Sequence, residues 1–203
     1  PLSPLGGNTK GASAGISYLP DDDAIIPLMG SNCGFSDDAV YRLRHFIEVV
    51  WGSETLTQNI NFLQSCLDID MEKYLINQNH FWKDHCRRYK KKPIYWLFSS
   101  KTGAFQALVY MHRMNKFTVQ KIRDNYLLKH LQWLNTQINQ LESSSTRDRE
   151  EQRQLDYYRK ALDECEEYNN YLKDIADQQI EIDLDDGVAA NYPKFEPVVA
   201  KIK

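Results

Sequence analysis

The length, composition and charge of the chain exclude several classes of protein. Its 203 residues are 42% apolar and 26% charged, which is close to the average of globular domains and argues against wholesale disorder. The longest apolar runs are a few residues, too short to span a membrane, and the first residues lack the basic and apolar regions of a signal peptide. The sequence therefore predicts a cytoplasmic domain of ordinary size, with no membrane partner, or a piece of a longer chain.

The net charge of −3 hides a strong asymmetry along the chain. Residues 81–130 carry 12 Lys and Arg against 2 Asp and Glu. Residues 1–80 carry 4 against 10, and residues 131–203 carry 9 against 16. A local excess of this size predicts a basic patch, which says more about binding partners than the total charge does.

The four cysteines are far apart and include no Cys-x-x-Cys pair. A small secreted domain held by disulfides uses cysteine more densely. We therefore expect Cys33, Cys66, Cys86 and Cys165 to be free thiols in a reducing compartment, where they act as small apolar side chains.

Helical periodicity begins after an extended N-terminal segment or linker, residues 1–35, which is rich in Gly, Pro and Ser. Ser36 is the predicted N-cap of the first helix, with Asp37 and Asp38 near the positive end of its dipole. Apolar residues at helical spacing predict two further helices, the third ending before Pro93. A break in that third helix is expected at 77–79.

Aromatic and β-branched runs at 94–98 and 105–111 predict a β-hairpin, because a five-residue connection containing Gly103 separates them. An isolated hairpin is marginally stable in water, so this one must pack on helices or extend another sheet.

Leucine and isoleucine residues recur at alternating intervals of 4 and 3 positions. This spacing predicts a long antiparallel helical hairpin over about 118–142 and 147–178, with Thr118 as its first cap. The fold class is thus mainly α: a helical domain at 36–180 with one β-hairpin, followed by a loosely structured C-terminal tail at 181–203.

A search for catalytic motifs gives negative results. The sequence contains no P-loop, no Gly-x-Gly-x-x-Gly, no Gly-x-Ser-x-Gly and no His-Glu-x-x-His. The run Asp183-Leu-Asp-Asp-Gly187 lacks the glycine position and the closing glutamate of a calcium loop. We therefore predict no catalytic, cofactor-binding or metal-binding residue in this chain.

The segment from His85 to Phe98 combines a basic half with an aromatic half. Clustered lysine and arginine side chains give salt-dependent affinity for nucleic acid, and contacts of this kind position a duplex without reading its sequence. A solvated helix end, or pairing with the acidic parts of the same chain, is the alternative. The aromatic half favours a buried strand. The predicted phosphate-contacting residues are Arg87, Arg88, Lys90, Lys91, Lys92, Lys101, Arg113 and Lys116.

The same segment resembles a known family. Its strings Phe81-Trp-Lys-Asp-His-Cys-Arg-Arg-Tyr-Lys-Lys-Lys-Pro-Ile-Tyr-Trp-Leu-Phe-Ser-Ser100 and Ala107-Leu-Val-Tyr-Met-His-Arg113 are similar to the C-terminal region of PglX-type adenine-specific DNA methyltransferases of bacteriophage-exclusion (BREX) systems. Further matching strings are Asp22–Leu28, Asp37–Leu43, Phe46–Gly52, Asp183–Val188, Asn191–Tyr192 and Lys194–Phe195.

The resemblance implies a parent enzyme that transfers a methyl group from S-adenosylmethionine to adenine in double-stranded DNA. That chemistry needs a Gly-containing cofactor loop and an Asn-Pro-Pro-Tyr/Phe motif, and neither occurs in these residues. The chain is therefore expected to be a C-terminal, non-catalytic part that contributes DNA engagement or target recognition, with the rest of the methyltransferase chain and other defence-system proteins as partners. The alternative is a helical interaction module that docks another domain or protein.

Overall fold

Helices form where the apolar period of the sequence begins. The computed structural model describes residues 23–144 and 146–202, so most of the predicted N-terminal segment lies outside the described residues. The main helical elements between residues 39 and 88 are α1 (Ala39–Trp51), α2 (Leu56–Leu67), α3 (Met71–Ile76), a π-helical turn (Gln78–Trp82) and α4 (Lys83–Arg88). The predicted break occurs at Asn77, which has an extended backbone and a side chain that accepts a hydrogen bond from the Asn79 N–H.

The first helix begins at a different cap from the one predicted. Ser36 is not the N-cap; Asp38 is, because its Oδ1 accepts a hydrogen bond from the Val40 N–H at 3.0 Å. Its Oδ2 accepts hydrogen bonds from the Met29 and Gly30 N–H groups at 2.7 and 3.2 Å. The fully buried carboxylate therefore ties the start of α1 to the loop that precedes it.

The predicted β-hairpin is confirmed, and a third strand joins it. Strands β2 (Tyr95–Ser99) and β3 (Gln106–Tyr110) are antiparallel, and β1 (Ile25–Pro27) pairs with the other side of β3. The prediction missed β1 because three residues are too few to show an alternating pattern. The sheet order β1-β3-β2 places the longest-range pairing, Ile25 with Val109, beside the local hairpin.

The outer edge of β2 is closed by residues from both directions of the chain. The Tyr95 N–H donates to Nε2 of His85 at 3.4 Å. The Ala200 N–H donates to the Leu97 carbonyl at 2.8 Å, and the Ser99 N–H donates to the Val198 carbonyl at 3.1 Å. An unpaired strand edge is a template for aggregation, so these bonds protect the sheet.

The outer edge of β1 is closed without another strand. The Ile25 N–H donates to Oδ1 of Asp23 at 3.0 Å, and the Tyr126 hydroxyl donates to the Ile25 carbonyl at 3.4 Å. Pro27 has no N–H to offer, as is typical of proline in edge strands.

The predicted helical hairpin is confirmed. Its first arm contains α5 (Thr118–Lys121), a π-helical turn (Ile122–Leu127) and α6 (Leu128–Ser143), and its second arm is α7 (Arg149–Asp177). Thr118 is not the N-cap; the structure places Phe117 there, and Oγ1 of Thr118 accepts a hydrogen bond from the Asn115 N–H. Asp148 and Glu151 form a capping box at the start of α7.

The C-terminal residues are more ordered than the loosely structured tail that the sequence predicts. They form α8 (Gly187–Asn191) and a 3₁₀ turn (Tyr192–Phe195), and Phe195 and Val198 are buried in the main core. The ring of Trp96 lies 5.5 Å from the ring of Phe195. Phe195 and Val198 cover the sheet although they lie about 100 residues after β2 in the chain. The polar residues around them in the sequence do not indicate this packing. The division of the chain at residues 35 and 180 stays a prediction.

Two groups of buried side chains organise the fold. The main core lies between the sheet, the helical hairpin and the C-terminal residues. A smaller core of Val40, Ile47, Ile60 and Met71 joins α1, α2 and α3. Within the described ranges, no helix is both long and apolar enough to cross a membrane.

Candidate nucleic-acid interface

α4 ends in a tight turn that presents three successive lysines. The Lys91 N–H donates to the Cys86 carbonyl at 2.8 Å, which closes the helix end. Lys90 and Lys91 have φ angles of 50° and 61°, in the left-handed region that non-glycine residues adopt at a steric cost. We call Arg87, Arg88, Lys90, Lys91 and Lys92 the basic turn.

One carboxylate faces the basic turn from its own helix. Arg87 and Arg88 both form ion pairs with Asp84, and Nε of Arg88 lies 2.7 Å from its Oδ2. The hydrogen bond from Arg88 lowers the pKa of Asp84, so the carboxyl is ionised at neutral pH. The two arginine side chains remain 78% and 73% exposed, which leaves their outer N–H groups available to another anion.

The three lysines are less neutralised than the arginines. Lys90, Lys91 and Lys92 are exposed and form no ion pair with any residue among 23–144 and 146–202. The alternative prediction was that the acidic parts of the chain satisfy this charge internally. No such pair with the three lysines occurs in the described part of the chain, so the basic turn keeps a local excess of positive charge.

The sheet brings two other predicted residues to the end that carries the basic turn. β2 begins where β3 ends, and the Met111 N–H donates to the Ile94 carbonyl at 3.0 Å. The 3₁₀ turn Met111–Arg113 follows at once, and Lys116 comes three residues later with its Nζ 5.4 Å from the Phe117 ring centroid. Both predicted residues, Arg113 and Lys116, are exposed at this end.

Lys101 lies at the opposite end of the hairpin. It follows β2, so the length of that strand, roughly 16 Å, separates it from the basic turn. Lys101 lines a cavity of about 550 Å³ that also contains Glu164 and Glu167. The fold therefore does not bring Lys101 together with the other predicted residues.

The aromatic half of the segment divides into buried and half-buried rings. Trp96 and Phe98 are fully buried, as the prediction of a buried strand requires. Tyr95 is half-buried, and its ring lies 5.2 Å from the ring of Tyr110 on β3.

These half-buried rings belong to a row that crosses α4 and the sheet end. His85 lies 4.8 Å from Tyr89 and 6.1 Å from Tyr95, and His112 lies 5.1 Å from Tyr110. We call Tyr89, His85, Tyr95, Tyr110 and His112 the aromatic row. Sequence reasoning missed it, because the members come from four elements, α4, β2, β3 and the 3₁₀ turn Met111–Arg113. The recurrence of Tyr and His at the ends of those elements was the available signal.

His85 holds the basic turn against the sheet as a neutral side chain. Burial lowers its pKa, and its Nε2 accepts the Tyr95 N–H, which requires an unprotonated nitrogen at that position. The basic turn is thereby fixed to the edge of β2 without an added charge.

Three of the four cysteines in the described chain are shielded from solvent. All four are free thiols, as predicted, and all but Cys66 are buried. Burial raises the pKa of Cys33 and of Cys165 to about 12, so both are protonated and poorly nucleophilic at neutral pH. Among the described residues, no cluster of His, Cys, Asp and Glu side chains is arranged to hold a metal ion.

Replacing Lys90 and Lys91 together with glycine is expected to separate stability from binding. Glycine adopts positive φ without steric cost, so the free energy of unfolding should stay unchanged or rise by up to about 1 kcal/mol. The affinity for duplex DNA should fall, because two unpaired cations are removed. Urea unfolding and fluorescence anisotropy measure the two effects; a loss of stability above about 1 kcal/mol would contradict the strain argument.

Two curated relatives match almost the whole chain, while no protein-family model matches it. Over 92% of its length the chain is 38% identical to the adenine-specific methyltransferase BrxX of Escherichia coli O9:H4 (strain HS). Over 91% it is 32% identical to the adenine-specific methyltransferase PglX of Lacticaseibacillus casei (strain Zhang). The predicted resemblance to these methyltransferases is confirmed. The chain spans 17% of the length of each relative, and its place at the C-terminal end of such a protein stays a prediction.

Proposed function

We propose that this chain is a non-catalytic part of an adenine-specific DNA methyltransferase of phage defence, and that it engages double-stranded DNA through the basic turn. The likeness of 91–92% of the chain to two adenine-specific methyltransferases supports the parent. The exposed cations at one end of the sheet support the role in DNA engagement.

The chemistry of methyl transfer belongs to another part of the proposed parent. The Asn-Pro-Pro-Tyr/Phe motif and the Gly-containing cofactor loop are missing from these 203 residues. S-adenosylmethionine and the target adenine would therefore be bound elsewhere in the parent, in the bacterial cytoplasm. This chain would supply affinity for the DNA backbone.

The observation that carries the proposal is the balance of charge at the basic turn. Five cations face one ionised carboxylate, and three of them have no ion-pair partner among the described residues. Each cation that contacts a phosphate releases condensed counterions from the DNA, which makes binding favourable at low salt. Because the turn is fixed by backbone hydrogen bonds and by His85, little conformational entropy is lost on binding.

Arg113 and Lys116 extend the basic turn along the same end of the sheet. Tyr89, next to Lys90, and His112, next to Arg113, are both exposed. Aromatic rings beside cations suit contact with sugar and base surfaces, while the cations contact phosphates. The proposed interface therefore consists of the basic turn, the aromatic row, Arg113 and Lys116, without Lys101.

A salt titration of the 203-residue chain with a duplex of mixed sequence tests the proposal. Seven phosphate contacts, from the basic turn, Arg113 and Lys116, predict a slope of about −6 in a plot of log affinity against log salt. Affinity measured by fluorescence anisotropy should then fall by roughly 10³ to 10⁴ between 50 and 200 mM salt. No binding at 50 mM salt, or a slope near zero, would contradict the DNA-engagement proposal.

A second candidate function is protein docking through the helical hairpin. Tyr157 and Tyr171 on the acidic helix α7 are 62% and 41% exposed. Tyrosine is enriched at protein interfaces because it offers a large contact area with a polar end. Docking of another domain or a defence-system protein would be the better explanation of the chain if the salt titration shows no DNA binding.

A further inference from the structure

The outward face of the first two helices is unusual for a surface in contact with water. Trp51 is 54% exposed, Phe62 is 65% exposed, and both line a groove of about 260 Å³. Phe46, 43% exposed, extends the face, since its ring lies 6.3 Å from that of Trp51. We call Phe46, Trp51 and Phe62, with the groove between them, the α1–α2 face.

The composition of α2 strengthens this observation. The helix reads Leu-Thr-Gln-Asn-Ile-Asn-Phe-Leu-Gln-Ser-Cys-Leu and contains no charged residue, although 26% of the whole chain is charged. Its small core needs Ile60 on the inner face, which leaves the outer face free to carry charge. Depletion of charge together with enrichment of aromatic residues distinguishes the centre of a protein interface from other surface.

The surface continues past the outer face of the helix. A second cavity, of about 360 Å³, is lined by Leu63 and Leu67 of α2, of which Leu67 is 37% exposed, and it extends to Asp84 and Arg88 of α4. Isolated exposed apolar side chains are ordinary, but two cavities that both border one uncharged helix indicate an interaction site.

We propose that the α1–α2 face docks against the remainder of the methyltransferase polypeptide. The inference rests on the proposed function, in which this chain is one part of that enzyme. The relatives are long enough that 83% of each lies outside the matched length. A tethered domain faces this surface at an effective concentration of about millimolar, so it outcompetes a second copy at micromolar concentration.

The chemistry of the face argues against the other occupants. Nucleic acid needs cations, and no lysine or arginine lines the groove. An anionic membrane surface likewise attracts basic side chains, which the groove and α2 lack. Trp and Phe side chains surrounded by Thr, Gln and Asn fit a protein surface that is apolar at its centre and hydrogen-bonding at its rim.

Hydrogen exchange of the backbone amides of 56–67 tests the proposal. The exchange is compared between the 203-residue chain and the full-length polypeptide that carries it. Docking predicts exchange at least about tenfold slower in the full-length polypeptide. Replacing Trp51 and Phe62 with glutamate, as W51E/F62E, should return the full-length polypeptide to the rate of the 203-residue chain.

Thr57→Glu is the matched control, since Thr57 is exposed on the same helix but does not line the groove. It should keep the protection. Circular dichroism of the W51E/F62E chain should match wild type, because both side chains project into solvent. Equal exchange rates in the two polypeptides, or protection that survives W51E/F62E, would overturn the proposal. A 203-residue chain that dimerises through Trp51 and Phe62 would overturn it in favour of a second copy.

The measurement is independent of the salt titration. If the 203-residue chain does not bind DNA but residues 56–67 exchange slowly in the full-length polypeptide, the DNA-engagement proposal is contradicted and the docking proposal is supported. If the chain binds DNA in a salt-dependent way and the exchange is not slowed, the docking proposal is contradicted and the DNA-engagement proposal is supported.

Discussion

Removal of the charge of the basic turn is expected to remove most of the salt dependence of DNA binding. In a variant with Arg87, Arg88, Lys90, Lys91 and Lys92 all replaced by alanine, the slope of log affinity against log salt should lose about 4 to 5 units. Arg113 and Lys116 would then supply the remaining slope, about −2. The physical reason is that each lost cation no longer displaces counterions from a phosphate.

A comparison of two triple variants separates the effect of where the lysines lie from the effect of net charge on DNA affinity. Lys90, Lys91 and Lys92 changed to alanine should lower DNA affinity at 100 mM salt by roughly 10-fold or more. Lys101, Lys160 and Lys173 changed to alanine remove the same charge from exposed positions away from the basic turn. This control should alter affinity by less than about threefold, since distant charges are screened at this salt. Equal losses in the two variants would show that DNA responds to net charge alone.

Asp38→Ala is expected to destabilise the fold more than alanine at the exposed neighbour Asp37, because the Asp38 carboxylate is fully buried. Three backbone N–H groups, of Met29, Gly30 and Val40, lose their acceptor, and α1 loses its N-cap. A cap is worth about 1 kcal/mol and each buried donor left unpaired costs about 1 kcal/mol or more. We expect the free energy of unfolding in urea to fall by about 2 to 3 kcal/mol at pH 7.

The pH dependence of this loss gives a second signature. Burial raises the pKa of Asp38 to about 6, against the backbone hydrogen bonds, which lower it. The folded chain therefore binds this proton more tightly than the unfolded chain. Between about pH 4 and pH 6 the contribution of Asp38 to stability decreases as pH rises. The gap between wild type and Asp38→Ala should accordingly widen when the pH is lowered from 7 to 5.

Asp37→Ala is the natural control for Asp38→Ala. Asp37 is 46% exposed, and its ion pair with Arg42 is the kind of surface contact that contributes little. Its loss should cost less than about 1 kcal/mol. Similar losses for the two neighbouring aspartates would mean that the buried hydrogen bonds of Asp38 do not stabilise the fold as argued.

Local patterns in the sequence predicted the elements whose signals are local. Leu134 and Ile138 repeat at helical spacing, and Gly103 marks the connection between two aromatic runs, so the helical and β-hairpins were both predictable. β1 was not, because Ile25–Pro27 becomes a strand through its pairing with β3, about 80 residues away. The buried position of Phe195 likewise depends on the ring of Trp96, and nothing in the neighbourhood of either residue indicates it.

The residues of the candidate site also divide into those that local sequence predicts and those that depend on the tertiary fold. Arg87 to Lys92 are adjacent in sequence, so the helix end alone brings their charges together. Lys101 is close in sequence to β2 but lies beyond its far end, and the sequence could not give the direction of the strand relative to α4. The aromatic row depends on ring contacts between α4 and β3, such as the chain of contacts from Tyr89 to Tyr110, which requires the sheet register.

The outer edge of β2 can be covered only late in synthesis, after the residues that pair with it have been made. Its partners, Val198 and Ala200, emerge from the ribosome about 100 residues after Leu97. Until then the hairpin exposes free N–H and C=O groups along an apolar strand, a state that invites pairing with other nascent chains. A chain that stops before residue 198 keeps that edge open permanently. Production of shortened versions should therefore yield aggregates, because residues 198–200 cover this edge.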